Sequence, residues 1–203
     1  LIFKPYVGYG AIFELSRVLN EASSQLSTEQ YAAFNPGVIA GGTQANIDAT
    51  HHATGYGKLN VIAKTARAQG DMRFISDEQK AWMKKTLETI VAQSLPKATS
   101  AITFIDGMPP MPPTAANKNL LAMYSQVSTD LGYPVVSAIP PDLSGGADIS
   151  YVASITPANL SRLGPVGNNH HSVNEAMDIK SLNINTKRAA VLMYRLTAQS
   201  SGK

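Results

Sequence analysis

The chain has 203 residues, 44% apolar and 15% charged, which suits one large domain or two small ones with a real core. Its formal net charge of +3 comes from 17 Lys and Arg scattered without a run or aromatic interleaving, which argues against nucleic-acid binding. Cysteine is absent, so disulfides and thiolate metal sites are excluded and the compartment is left open. No stretch approaches the ~20 apolar residues of a membrane span. Leu1-Ile2-Phe3-Lys4-Pro5 lacks a charged segment followed by an apolar one, and there is no initial Met, so the start reads as internal to a longer polypeptide.

Taken in order, residues 8–26 show Ala11, Leu15, Val18, Leu19, Ala22 and Leu26 at helical spacing, which predicts an amphipathic helix. Phe34-Asn35-Pro36-Gly37 reads as a turn and Val38-Ile39-Ala40 as a short strand ending at Gly41-Gly42-Thr43. A loosely patterned segment follows, with His51, His52, Gly55 and Gly57, and then residues 59–74 read as extended, with Ile62, Ala66, Ala68, Met72 and Phe74 on one face. Ser76-Asp77-Glu78-Gln79 is a capping box opening a helix to about Ser94, and Ser100–Ile105 is a further strand. This helix–strand–strand–helix–strand order is a four-stranded, two-helix α+β plait (ferredoxin-like) lacking its first strand, which would lie just before Leu1.

Four prolines within Met108-Pro109-Pro110-Met111-Pro112-Pro113 can continue neither helix nor strand, so a domain boundary is expected there: 1–107, then 108–203. Beyond it, Thr114 caps a helix carrying Leu120, Tyr124, Val127 and Leu131, stopped by Gly132 and Pro134. Val135–Ile139 reads as a strand, Ser144–Asp148 as a glycine loop and the residues up to Ser154 as a helix. A last helix begins at Thr186 with Ala189, Ala190, Leu192, Met193 and Leu196. The alternation predicts part of an α/β sandwich rather than a complete one.

The stretch Leu163–Glu175 holds two glycines and a proline, then His170-His171, then a carboxylate four residues past His171. A neutral imidazole on a glycine-shaped loop suits a metal ligand or a proton carrier, and it equally suits a solvated turn.

Four features in sequence order resemble the zinc-dependent amidohydrolase and exopeptidase family, whose members include aminoacylase, glutamate carboxypeptidase and succinyl-diaminopimelate desuccinylase. They are the helix after Val7-Gly8-Tyr9-Gly10-Ala11-Ile12, the run from Asn60 to Asp71-Met72-Arg73, the Gly145-Gly146-Ala147-Asp148 loop, and Gly164 through His171 to Glu175. The resemblance implies a plait that serves as lid and dimer interface (1–107) and the C-terminal part of a catalytic sandwich (108–203). It implies hydrolysis of an amide or peptide bond beside a free carboxylate, by water activated on a pair of zinc ions. The substrate would be a small peptide or N-acyl amino acid and the protein a homodimer, with neither nucleic acid nor membrane as partner.

By motif position, the resemblance makes His171 a zinc ligand, with Ser172 or Glu175 orienting its ring. Adjacent side chains diverge, so His170 would not reach the same ion. Arg73 would grip the substrate carboxylate with its planar guanidinium, or else be a surface arginine paired with Asp71. Asn60 would help to hold substrate, or be a turn residue, and Gly145 and Gly146 would let the backbone approach substrate, or be a plain turn. Asp148 could be an N-cap. His51 and His52 match no family ligand and read as structural or surface residues. The family's His-x-Asp and Glu-Glu patterns are missing, so the resemblance places no catalytic residue in these 203 positions. One histidine cannot hold a catalytic zinc, and the chain by itself is expected to be inactive. The rival expectation is a non-catalytic dimerisation or small-ligand-binding module.

Overall fold

The computed structural model describes residues 8–200. The chain divides into two compact units at Gly107/Met108.

In the first unit, α1 (Ala11–Leu26) opens at Gly10, whose φ of 84° is the left-handed conformation that glycine adopts without strain. A Cβ there would also collide with Ile62, while the Ala11 amide donates to Ala63 O at 2.9 Å. Next, β1 (Ala33–Gly42) pairs antiparallel with β4 (Thr65–Arg73), and β2 (Gln44–Ile47) with β3 (Ala53–Tyr56). α2 (Asp77–Ala92) is capped by Ser76 Oγ, which accepts from the Gln79 amide at 3.2 Å, and Gln79 Oε1 accepts from the Ile75 amide.

The core lies where α1 and α2 meet the strands. Val18, Ala22 and Leu26 pack with Met83, Leu87, Ile90 and Val91, and Phe34, Met72, Phe74, Ile102 and Phe104 close over them. Each fully buried Leu, Ile or Met contributes on the order of 2 kcal/mol of transfer free energy.

Four expectations change here. The Phe34–Gly37 turn is instead the first half of β1: the register slips between Pro36 and Val38, so Gly37 is an extra residue in a bulge that accommodates a proline with no N–H to donate. The loosely patterned segment around His51 is the β2–β3 hairpin, whose turn is built on Asp48: its Oδ1 accepts from the amides of Thr50 and His52 and from the Thr50 hydroxyl. The extended run expected over 59–74 begins as a turn, and β4 starts only at Thr65. Residues 101–105 have no regular strand assignment, yet Ile102 and Phe104 face the core between exposed neighbours, as a strand's alternation would place them.

The second unit holds α3 (Ala115–Asp130) and α4 (Ile179–Ser200), with Tyr124, Val127 and Leu192 at its centre. Two 3₁₀ turns lie between them, Pro141–Leu143 and Asp148–Tyr151, and a hairpin of two-residue strands, β5 (Gly167–Asn168) and β6 (Ala176–Met177). Thr114 caps α3 as expected, its Oγ1 accepting from the Asn117 amide. The strand expected at 135–139 is absent: the Val136 amide goes to Ser125 Oγ instead of a ladder. The helix expected up to Ser154 is a single 3₁₀ turn. α4 starts seven residues before Thr186, because Asp178 Oδ1 accepts from the Lys180 amide and so opens the helix earlier. Among the described residues the sheets are all two-stranded and antiparallel, a mixed α/β arrangement.

The most demanding single group in the first unit is Glu14, on α1 and only 3% exposed. Its carboxylate accepts from Arg17 at 2.6 Å, from Ser100 Oγ at 2.6 Å and from the Leu95 amide at 2.8 Å, while Arg17 also donates to Ile90 O. These donors, Arg17 first, hold its pKa at about 2, against 4.5 ordinarily, and outweigh the opposing effect of burial. Because the folded value lies below the unfolded one, the stabilisation is complete above pH 4.5 and is lost as pH falls towards 2. Glu14→Gln is expected to lower unfolding free energy at pH 7 by roughly 2–4 kcal/mol and to flatten its decline between pH 5 and 2, as urea titrations at several pH values would record.

Candidate functional site

The candidate residues divide between the units. On the first, β4 carries Arg67, Gln69, Asp71 and Arg73 at alternate positions, so all four face away from the helices that Met72 packs against. Arg73 Nε donates to Asp71 Oδ2 at 2.8 Å, with the two side chains 78% and 59% exposed. Two groups on the same face of one strand, two residues apart, are placed to meet by the strand itself. Arg73 is thus held by a neighbour but open to solvent, and its terminal nitrogens stay available to an anion.

Asn60 is exposed in the turn ahead of β4, at the end where Thr65 pairs with Gly42, whereas Arg73 pairs with Ala33 at the other end. A nine-residue strand spans roughly 26 Å at about 3.3 Å per residue. Asn60 and Arg73 therefore belong to opposite ends of β4 and are not brought together on one small molecule within a protomer. His51 and His52 are exposed at the β2–β3 turn, where His51 Nδ1 pairs with Gln69 Oε1 at 2.8 Å.

On the second unit, Gly145 and Gly146 are exposed between the two 3₁₀ turns. Open space surrounds Gly145, while a Cβ on Gly146 would strike the Met108 sulfur. Asp148 is the first residue of its 3₁₀ turn and makes no capping bond; the cap position is Ala147.

The histidine stretch is the tip of the β5–β6 hairpin. Asn169 and His171 both have positive φ, 53° and 64°, which folds the seven residues between the strands tightly. The expected orienting partners of His171 are otherwise engaged. Glu175 Oε1 pairs with His170 Nδ1 at 3.1 Å, and Ser172 Oγ donates to Asn169 O at 2.7 Å. His170 lies back across the hairpin with its Cε1 only 2.9 Å from where a Cβ on Gly167 would stand, so glycine is what lets the ring lie there. His171 is exposed, which leaves its imidazole open to an external ligand.

The stem of this hairpin rests on α4. Asn185 Nδ2 donates to Gly164 O, Ser181 Oγ accepts from the Val166 amide at 2.7 Å, and the Asp178 amide donates to Val166 O at 2.9 Å. Sequence reasoning missed these residues, although Ser181, Asn185 and Arg188 recur at helical spacing and would have signalled both the earlier start of α4 and a polar inner stripe. A shallow, largely apolar groove of about 270 Å³ runs beside them, lined by Leu163, Leu182, Ala189 and Met193 among others.

The described residues do not make a zinc site by themselves. No group of three His, Asp or Glu side chains that could hold an ion occurs among the described residues. His171 is of a residue type that binds zinc, but it belongs to no such group among the described residues.

Residues 4–99 match the family model described as a peptidase dimerisation domain. The match covers most of the first unit and supports, in broad terms, a relation to the peptidases that carry this domain. The description of that domain suggests a part in forming dimers. No curated protein matches the chain. No helix among the described residues is long and apolar enough to cross a membrane.

The exposure of the Arg73–Asp71 pair gives a direct contrast with Glu14. Arg73→Ala is expected to leave the thermal midpoint unchanged, whereas Glu14→Gln lowers it, as differential scanning calorimetry of the two variants would show.

Proposed function

We propose that this chain supplies the lid and the C-terminal catalytic segment of a zinc-dependent exopeptidase or amidohydrolase that cleaves an amide bond next to a free carboxylate. The first unit is the lid, a ferredoxin-like plait that also forms the dimer interface, and the second belongs to an α/β catalytic sandwich. The observation that carries the reading is the peptidase dimerisation match over residues 4–99, with Arg73 presented outward on β4 of that same unit.

Each residue has a stated part. Arg73 grips the substrate carboxylate, because a guanidinium offers two parallel N–H donors to a planar anion. Asn60 holds the other side of the substrate, and its distance from Arg73 along β4 is compatible with its doing so from the partner protomer. Gly145 and Gly146 let the backbone approach the substrate, and the open space around Gly145 supports that use. His171 contributes one imidazole to the metal. When bound, zinc supplies a water of lowered pKa and polarises the scissile carbonyl. The general base and the remaining ligands come from outside these 203 residues.

A non-catalytic dimerisation module remains the rival, favoured by the fact that the matched segment is the dimerisation domain alone. The two readings part in the intact polypeptide. His171→Ala is expected to lower both zinc content and hydrolysis. Arg73→Ala is expected to raise KM about 10–100-fold for substrates with a free carboxylate and to leave zinc content and amide-capped substrates nearly unaffected. Zinc-free, inactive dimers of the unaltered protein would decide for the module.

A further inference from the structure

The second unit contains buried polar groups that its small apolar core does not require. Ser128 on α3 is fully buried, and on α4 Ser181 and Asn185 are 7% and 8% exposed. Burying such groups is unfavourable unless each finds a partner, and here all of them do. Arg188 Nε donates to Ser128 Oγ at 2.9 Å, its guanidinium also reaches Pro134 O, and it lies over the Tyr133 ring. Arg188 Nη1 donates to Asn185 Oδ1 at 2.8 Å. That bond settles which way the Asn185 amide faces, since only its oxygen can accept from a guanidinium, and so its NH₂ is turned to Gly164 O. One turn earlier, Ser181 Oγ accepts from the Val166 amide and donates to Asp178 O, while the Asp178 amide returns to Val166 O.

Both arms of this network end on the backbone at Gly164–Val166, the residues that lead into β5. Beyond them the hairpin tip is exposed, and its own bonds are local: Asn169 to Asn174, Ser172 to Asn169, His170 to Glu175. The place of the tip relative to α3 and α4 is therefore set at its stem. We propose that Asn185 and Ser181, with Arg188 behind Asn185, are positioning residues that fix where the hairpin presents His171. This rests on the reading of His171 as a metal ligand. Leucine at 185 would suit the apolar groove that Asn185 lines as well; only a bonding side chain holds the loop backbone.

The test uses Asn185→Leu, Ser181→Ala and Ser181→Thr in the intact enzyme, with His171→Ala as reference. Zinc affinity is measured by chelator competition, and hydrogen exchange is followed over 164–178 in the metal-free form. Asn185→Leu and Ser181→Ala are expected to weaken zinc about 10–100-fold and to speed exchange in the hairpin about tenfold, with α3 and the rest of α4 unchanged. Ser181→Thr, which keeps the hydroxyl, is expected to retain both. If His171→Ala loses zinc while folded Ser181→Ala keeps full affinity and slow hairpin exchange, the positioning role is overturned and the ligand reading survives. If His171→Ala keeps full affinity, the ligand reading fails, and hairpin exchange alone decides whether the stem is pinned: faster exchange in Ser181→Ala supports it and unchanged exchange overturns it. Should Asn185→Leu fail to fold, the two Ser181 variants carry the decision.

Discussion

A carboxylate taken out of water must be given donors, and the first unit is arranged around that requirement. Glu14 is buried on α1, and its donors come from three places: Arg17 one turn along, the Leu95 amide after α2, and Ser100 at the start of the segment that lays Ile102 and Phe104 on the core. Arg17 in turn holds the last turn of α2 through Ile90 O. One ionised group thereby ties together the two helices and the chain that leaves them. The apolar contacts among Leu26, Met83, Leu87 and Ile90 supply most of the driving force but no direction; the charge-assisted bonds select one arrangement of the helices. The face of β4 that bears Arg73 is the one this packing leaves outside.

The second unit solves a similar problem with neutral groups. Its core is small, and the residues expected to form a strand at 135–139 are a loop. Side chains replace the missing ladders: Ser125 takes the Val136 amide, Asn117 the Asn159 amide, Ser181 the Val166 amide. Loops held in this way keep their backbone groups satisfied without a sheet to join. The hairpin with His170 and His171 is the clearest case, since two-residue strands would be marginal alone. At its tip the adjacent imidazoles have separate fates: His170 is bound back to Glu175 over Gly167, while His171 is left open.

Helices were legible where a local signal had a local cause. The capping box at Ser76 and the cap at Thr114 act within four residues, and the stripes of α1 and α2 are their buried faces. What was misread depended on distant partners. Pro36-Gly37 is turn-like in isolation, and it becomes a bulge only because β4 lies alongside to pair with the residues around it. Val135–Ile139 has strand composition, but a strand needs a neighbour and the Val136 amide found a serine instead. Asp178 opens α4 ahead of the apolar stripe that began at Ala189, so the helix start was hidden in polar residues. The pairing of Glu175 with His170 rather than with His171 follows from the positive φ at Asn169 and His171, which no composition reveals.

The sequence by itself determined α1, α2 and α3, the caps at Ser76 and Thr114, the punctuation at the prolines of 109–113 and the absence of thiolate chemistry, because each depends on residues within a turn or two of each other. Motif order likewise resembles that of a peptidase family, and residues 4–99 match a peptidase dimerisation domain. Only the tertiary structure decided which strands pair, that Asn60 and Arg73 stand at opposite ends of one strand, and that Asn185 and Ser181 hold the stem beneath His171. The physical reason is range. Propensity and capping act along the chain, whereas strand pairing and the satisfaction of buried polar groups are settled by whichever distant groups the packed chain brings within hydrogen-bonding distance.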